Sequence, residues 1–217
     1  MTRALRIAAL LLILALGAIW GGAFLARRPG EGVGASFARL LGNAPAPSAG
    51  GVAVPGGVSI GGPFTLVDGD GKTVTQEDLR GKLALIFFGY TFCPDVCPTE
   101  LQAVAQAMDL LGPQADQVRP VFITVDPERD TPAKVKDYVA LFHPSIIGLT
   151  GTPEQVARAA RAWRVYYNKA TPSGASDYLM DHSSYTYLMG RDGSLRALFR
   201  PGVPPEEMAA TIRANLG

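Results

Sequence analysis

Cys93 and Cys97 are the only cysteines of the chain, with three residues between them in CPDVCP, and His143 and His182 are its only histidines. Two thiols at this spacing suit three chemistries: a short-loop disulfide, a dithiol redox couple, or the soft half of a metal site. A residue before proline is biased toward extended or turn angles, and Pro98 suits a first helical position. That reading places Cys97 at a helix N-cap and Cys93 in the loop before it. Thiolates near a helix N-terminus are stabilised by its dipole, which makes them nucleophiles and metal ligands. A disulfide closing so short a loop would restrict little unfolded chain. Redox pairs of the common kind have two intervening residues, so the spacing alone leaves all three open.

The histidines divide by context. His143, in LFHPSIIG, falls where a helix gives way to a strand, which reads as a helix C-terminal histidine favoured by the dipole. His182, in LMDHSSYTYLM, stands at the foot of a late strand, a position that by itself reads as a structural histidine. In a thioredoxin-like sheet that strand starts beside the loop ending the first buried strand, which brings His182 against Cys93 and Cys97. Two thiolates and an imidazole make an S₂N set: thiolates select Cu(I), and imidazole lets the same site hold Cu(II). Structural zinc wants four protein ligands, the fourth coming from His143, Asp181 or another carboxylate. Two acids in VDPERDTP, Asp126 and Asp130, have two readings. Either they orient His182 and guide a cation, or Asp126 ends a strand and Asp130 caps the helix beginning near Pro132.

These groups need elements to hold them. PFTLVDGDGKTVT reads as two short strands around an Asp-Gly turn. KLALIFFGY (82–90) and RPVFITVD (119–126) are continuous apolar runs, as in strands buried on both faces. Leu101, Val104, Met108 and Leu111 give the helix after Cys97 an apolar face, and Val135, Tyr138, Val139 and Phe142 give the next helix another. SIIGLT (145–150) is a third strand; Thr152, Pro153 and Gln155 then form a capped helix start. RVYYN, SYTYLM and LRALFR supply further strands, the last two around Asp192-Gly193, and a final helix from Pro205 carries Met208, Ile212 and Leu216. Strands alternating with helices, then a hairpin and helix, indicate an α/β domain around a mixed sheet.

The N-terminus is different in kind. Residues 7–26 hold no charge between Arg6 and Arg27. Twenty residues at about 1.5 Å each would cross a hydrocarbon core of about 30 Å. The expectation is a transmembrane anchor over 1–26; the competing reading is a signal peptide cleaved near Ala15 or Gly17. Arg3 and Arg6 before the span and Arg27 and Arg28 after it favour an inside N-terminus only weakly. Gly, Ala, Pro and Ser dominate residues 27–58, the composition of a tether, and a single domain follows over 59–217. A formal net charge of +1 with no run of like charges does not suggest a polyanion partner, so no nucleic acid is expected.

CPDVCP, VDPERDTP, FHPSIIGLTGTPE and YLMDHSSYTYLM, in this order, resemble the Sco/SenC family of membrane-tethered copper-binding proteins, over roughly residues 62–203. The resemblance implies a thioredoxin-like fold and one copper ion, Cu(I) or Cu(II), bound by Cys93, Cys97 and His182. It implies a part in maturing the dinuclear copper centre of cytochrome c oxidase, by delivering copper or by reducing the receiving cysteines. The implied partners are the oxidase's copper-binding subunit and another copper carrier or a thioredoxin-like reductant. In bacteria the implied place is the inner membrane, single-pass, with the domain in the periplasm.

Departures from the family's pattern are small: Val96 where isoleucine is usual, and Gly190-Arg191 where Asp-Pro is more frequent. Asp181-His182-Ser183 stands where a general thioredoxin-like redox enzyme places a cis-proline, which favours metal over disulfide exchange. A thiol–disulfide reductase using Cys93 and Cys97 is the alternative, and a peroxidase is a third reading because Thr91 lies two residues before Cys93.

Overall fold

Every residue of Leu83–Gly89 is buried, and this strand is the spine of the domain. A computed structural model describes residues 60–171 and 177–216. The expected anchor (1–26) and tether (27–58) lie outside the described residues, and among those described no helix is long and apolar enough to cross a membrane.

The strands are β1 (Thr65–Asp68), β2 (Thr73–Thr75), β3 (Leu83–Gly89), β4 (Val118–Thr124), β5 (Ile147–Thr150), β6 (Tyr167–Ala170), β7 (Leu179–His182), β8 (Thr186–Met189) and β9 (Leu195–Phe199). The α-helices are α1 (Val96–Leu111), α2 (Pro132–Ala140), α3 (Pro153–Ala162) and α4 (Pro205–Ala214). Seven strands form one sheet in the order β2-β1-β5-β4-β3-β8-β9, and β6 and β7 form a second, two-stranded sheet. β3 runs parallel to β4, and β4 to β5; β8 is antiparallel to β3. Helix α1 packs on α4, α2 on β5 and α3 on β1. The mixed α/β sheet expected from the sequence is present.

Apolar runs account for the centre of the sheet. Phe87, Phe88 and Phe122 are fully buried, and burying each large side chain contributes about 1.5–3 kcal/mol. Local signals account for the ends. At α3, Thr152 accepts the Gln155 N–H and the Gln155 side chain accepts the Thr152 N–H, closing the expected capping box. The late turn has Gly193 at φ 79, a left-handed angle that glycine adopts without strain.

Topology decides what meets at one sheet edge. β3 and β4 end together, with Gly89 opposite Thr124, so the cysteine loop and the 125–131 loop emerge side by side. Thr186 opens the antiparallel β8 opposite Phe87, so the chain carrying His182 arrives at the same edge from the other direction.

Candidate metal centre

Helix α1 begins two residues earlier than its sequence suggests. Asp95 is the N-cap and Val96 the first helical residue, so Cys97 lies within the first turn instead of capping it. Pro98 still lies in the first turn, where its missing N–H costs no intrahelical bond, so the pre-proline bias is overridden. The Asp95 side chain makes no cap bond. The Cys93 sulfur does that work, accepting the Cys97 N–H at 3.4 Å. Cys93, not Cys97, is therefore the thiol poised off the helix end.

The structure brings together the three residues named from sequence. One donor atom each from Cys93, Cys97 and His182 lies within 4.8 Å of the others. Both cysteines are free thiols, Cys97 buried and Cys93 partly open. The Cys97 sulfur is 3.4 Å from His182 Nε2. Nδ1 of His182 faces the Ser183 carbonyl at 3.1 Å, and a carbonyl can only accept, so the ring proton sits on Nδ1. Nε2 is left with its lone pair toward the sulfurs, the tautomer a metal-binding histidine needs.

Neighbouring rings confine the imidazole. Tyr90 stands edge-on to it at 5.7 Å and Phe87 at 6.2 Å. The two thiols divide one proton between them. The Cys97 thiol donates toward Cys93, and with help from the N–H groups of Asp95 and Cys97 this lowers Cys93 to about 3, against its partial burial. The same bond, with burial, pushes Cys97 far up. A thiolate, a buried thiol and an imidazole form a soft donor set of three.

The acids of the 125–131 loop depart from both readings of them. Asp130 does not cap α2; Thr131 does, its hydroxyl accepting the Lys134 N–H. Asp130 is fully buried and accepts from the Thr91 N–H (3.0 Å), the Thr91 hydroxyl (2.6 Å) and the Thr124 hydroxyl (2.6 Å). It thus pins the cysteine loop to the end of β4. Asp126 accepts the Tyr178 hydroxyl at 2.8 Å and pairs with Arg129, making no contact with His182. Burial makes each of these polar groups dependent on its partner.

His143 is elsewhere: Nδ1 meets the Ser145 hydroxyl at 2.7 Å, and Nε2 lies 3.6 Å from Asp109. Neither His143 nor Asp181 joins the three donors, so among the described residues a fourth zinc ligand is not gathered. Gly89 is a site residue that pattern reading missed. A Cβ there would come within 2.9 Å of the Cys97 sulfur and of the Phe122 and Phe87 rings. Its only sequence signal is a glycine ending an apolar strand, the mark of a close approach.

Dithiol and imidazole converging where parallel strands end define a thiol-based metal or redox site on a thioredoxin-like scaffold. The chain matches the SCO1/SenC family model over residues 53–217, and it belongs to that family. It is 53% identical over 135 residues to Protein SCO1 homolog 1, mitochondrial, of Arabidopsis thaliana, a match covering 62% of this chain and 40% of that protein. The structure of Bradyrhizobium japonicum ScoI with copper bound is similar at TM-score 0.67 and 48% identity, covering 72% of this chain and 99% of that one. BsSco, a member of the Sco family of cytochrome c oxidase assembly proteins in which a disulfide switch is identified, is similar at TM-score 0.57 and 26% identity, over 76% and 96% of the two chains.

Proposed function

We propose that this protein is a copper metallochaperone in which Cys93, Cys97 and His182 hold one copper ion as cargo. The observation carrying this is the convergence of the three donor atoms within 4.8 Å, with the His182 tautomer set by Ser183. Thiolates supply the affinity for Cu(I), and the imidazole extends it to Cu(II). Similarity to copper-bound ScoI supports the cargo, and similarity to BsSco supports a part in cytochrome c oxidase assembly; the destination in this reading is the oxidase's dinuclear copper centre. The acceptor is the oxidase's copper-binding subunit, and a second carrier or a thioredoxin-like reductant resupplies the site. Residues 1–26 anchor the protein in a bacterial inner membrane and 27–58 tether the 59–217 domain on the periplasmic side.

The test is an anaerobic titration of the reduced full-length chain beside His182→Ala, with Cu(I) competed against a chelator and Cu(II) followed by thiolate absorption. One equivalent held tightly by the parent, and much more weakly by the variant, supports the reading. Full affinity in the variant refutes the three-residue site.

A second reading rests on the lowered Cys93, whose thiolate is set beside a partner thiol. As a reductase, the Cys93 thiolate attacks a target disulfide to form a mixed disulfide, and Cys97 then attacks the Cys93 sulfur and releases the second target sulfur. The pair loses two electrons and the Cys97 proton as its own S–S bond forms, and the target takes the two electrons, that proton and one from solvent to become two thiols. That role requires a reduction potential below about −200 mV and turnover without His182.

A further inference from the structure

The hairpin that carries His182 is not part of the main sheet. β6 and β7 pair only with each other, Tyr167 opposite His182, so no ladder to the seven-stranded sheet fixes where His182 stands. The Tyr90 and Phe87 rings flank the imidazole itself, and the contacts that hold the start of β7 converge on Arg129. Its guanidinium carbon lies 3.7 Å over the Tyr178 ring, and Nη1 donates to the Tyr178 carbonyl at 2.9 Å. Nε pairs with Asp126, which is buried and takes the Tyr178 hydroxyl on its other oxygen. Tyr178 immediately precedes β7. The guanidinium also lies 4.7 Å from the Phe92 ring, and Phe92 immediately precedes Cys93. One side chain thus touches both halves of the site without touching any of the three donors.

We propose that Arg129 is the positioning residue that holds the His182 hairpin against the cysteine loop, and so decides whether the site has three donors or two. The only other cation tying this hairpin to the 125–131 loop among the described contacts is Lys169, paired with Glu128 at 2.6 Å. Both of its partners are about half exposed, a setting in which ion pairs contribute little. The Arg129 arrangement is of another kind: a planar fork bonded through Nε to a carboxylate and through Nη1 to a carbonyl, and stacked on an aromatic face. Lysine cannot reproduce it. Releasing it frees the imidazole while Cys93 and Cys97 keep their own contacts with α1 and Gly89. Two thiolates still suit Cu(I), whereas Cu(II) depends on the nitrogen donor. Arg129 therefore tunes the preference between oxidation states.

This inference rests on the three-residue reading above, and the experiment separates the two. The reduced full-length chain is titrated with Cu(II) and, separately, with Cu(I) against a chelator, in the parent, Arg129→Ala, Arg129→Lys, His182→Ala and the Arg129→Ala/His182→Ala double variant. The expected result is a roughly 10–100-fold loss of Cu(II) affinity in Arg129→Ala, the range typical for groups that orient a metal ligand, with altered thiolate–Cu(II) absorption. Cu(I) affinity falls much less, Arg129→Lys moves the same way, and the double variant is no weaker than His182→Ala alone. Parental Cu(II) binding in Arg129→Ala, or a loss that persists in full without His182, overturns the positioning role. Should Arg129→Ala not fold, Arg129→Lys and Tyr178→Leu are read by the same criteria. If His182→Ala itself keeps parental Cu(II) affinity, the three-residue reading falls and this inference falls with it.

Discussion

Gly89 and the sulfur of Cys97 are so close that a methyl group on the glycine would sit 2.9 Å from the sulfur. Phe122 and Phe87 close the remaining space at the same distance, so the crowding has no easy exit. Gly89→Ala is expected to shift the start of α1, destabilise the domain by about 1–3 kcal/mol as overpacked cores do, and weaken copper binding. Thermal denaturation and a copper titration check this. A variant as stable as the parent, with equal affinity, would show that the helix start yields freely.

Asp130 offers a different kind of dependence. Its carboxylate serves three donors from Thr91 and Thr124 inside the fold, and bonds to a charged acceptor contribute about 1.5–3 kcal/mol each. Asp130→Ala strands those donors and should cost at least about 3 kcal/mol of unfolding free energy, read by urea denaturation. Asp130→Asn keeps the shape but turns one oxygen into a donor, so an intermediate loss is expected. Stability unchanged in both would remove Asp130 as the pin of the cysteine loop.

The thiols make a prediction about pH. Cys93 is lowered from 9.0 to about 3, so between these values the folded protein holds one proton fewer there than the unfolded chain. That contribution to stability is complete above about pH 9 and drains away as pH falls toward about 3. Cys97 is raised from 9.0, so its contribution is complete below that value and is lost as pH rises beyond it. The thiols together stabilise most near pH 9. Alkylation with iodoacetamide at pH 5, read by peptide mass spectrometry, should label Cys93 and spare Cys97. Equal labelling, or labelling that begins only near pH 8, would contradict the division of roles.

Metal removal should change what oxidants do. With copper held by both sulfurs, a mild oxidant is expected to leave Cys93 and Cys97 unpaired; after stripping by a Cu(I) chelator the same treatment should produce the disulfide. Thiol counting under denaturing conditions distinguishes the forms. A disulfide forming equally fast in the loaded protein would separate the copper site from the cysteine pair.

The sequence was most informative where chemistry is scarce. With two cysteines and two histidines available, the S₂N set could be narrowed to one combination, and the apolar runs around Ile86 and Phe122 located the strands beneath it. Boundaries were less legible: proline at 98 suggested where α1 starts, but first-turn geometry tolerates it at more than one position. Asp130 was misread because an acid before Thr131-Pro132 looks like a cap until tertiary structure supplies Thr91 and Thr124. Gly89 and Arg129 were invisible for the same reason, since their partners lie on other elements and nothing local announces them.

Cys97 and His182 meet across 85 positions of chain, the histidine arriving only on the hairpin that precedes β8. During synthesis both thiols are made well before the imidazole, and β8 must dock antiparallel to β3 before the third donor reaches them. A partly made chain can offer cysteines but not a finished site. Full occupancy is thereby a late event that certifies a completed domain, and in misfolded copies the three donors stay apart.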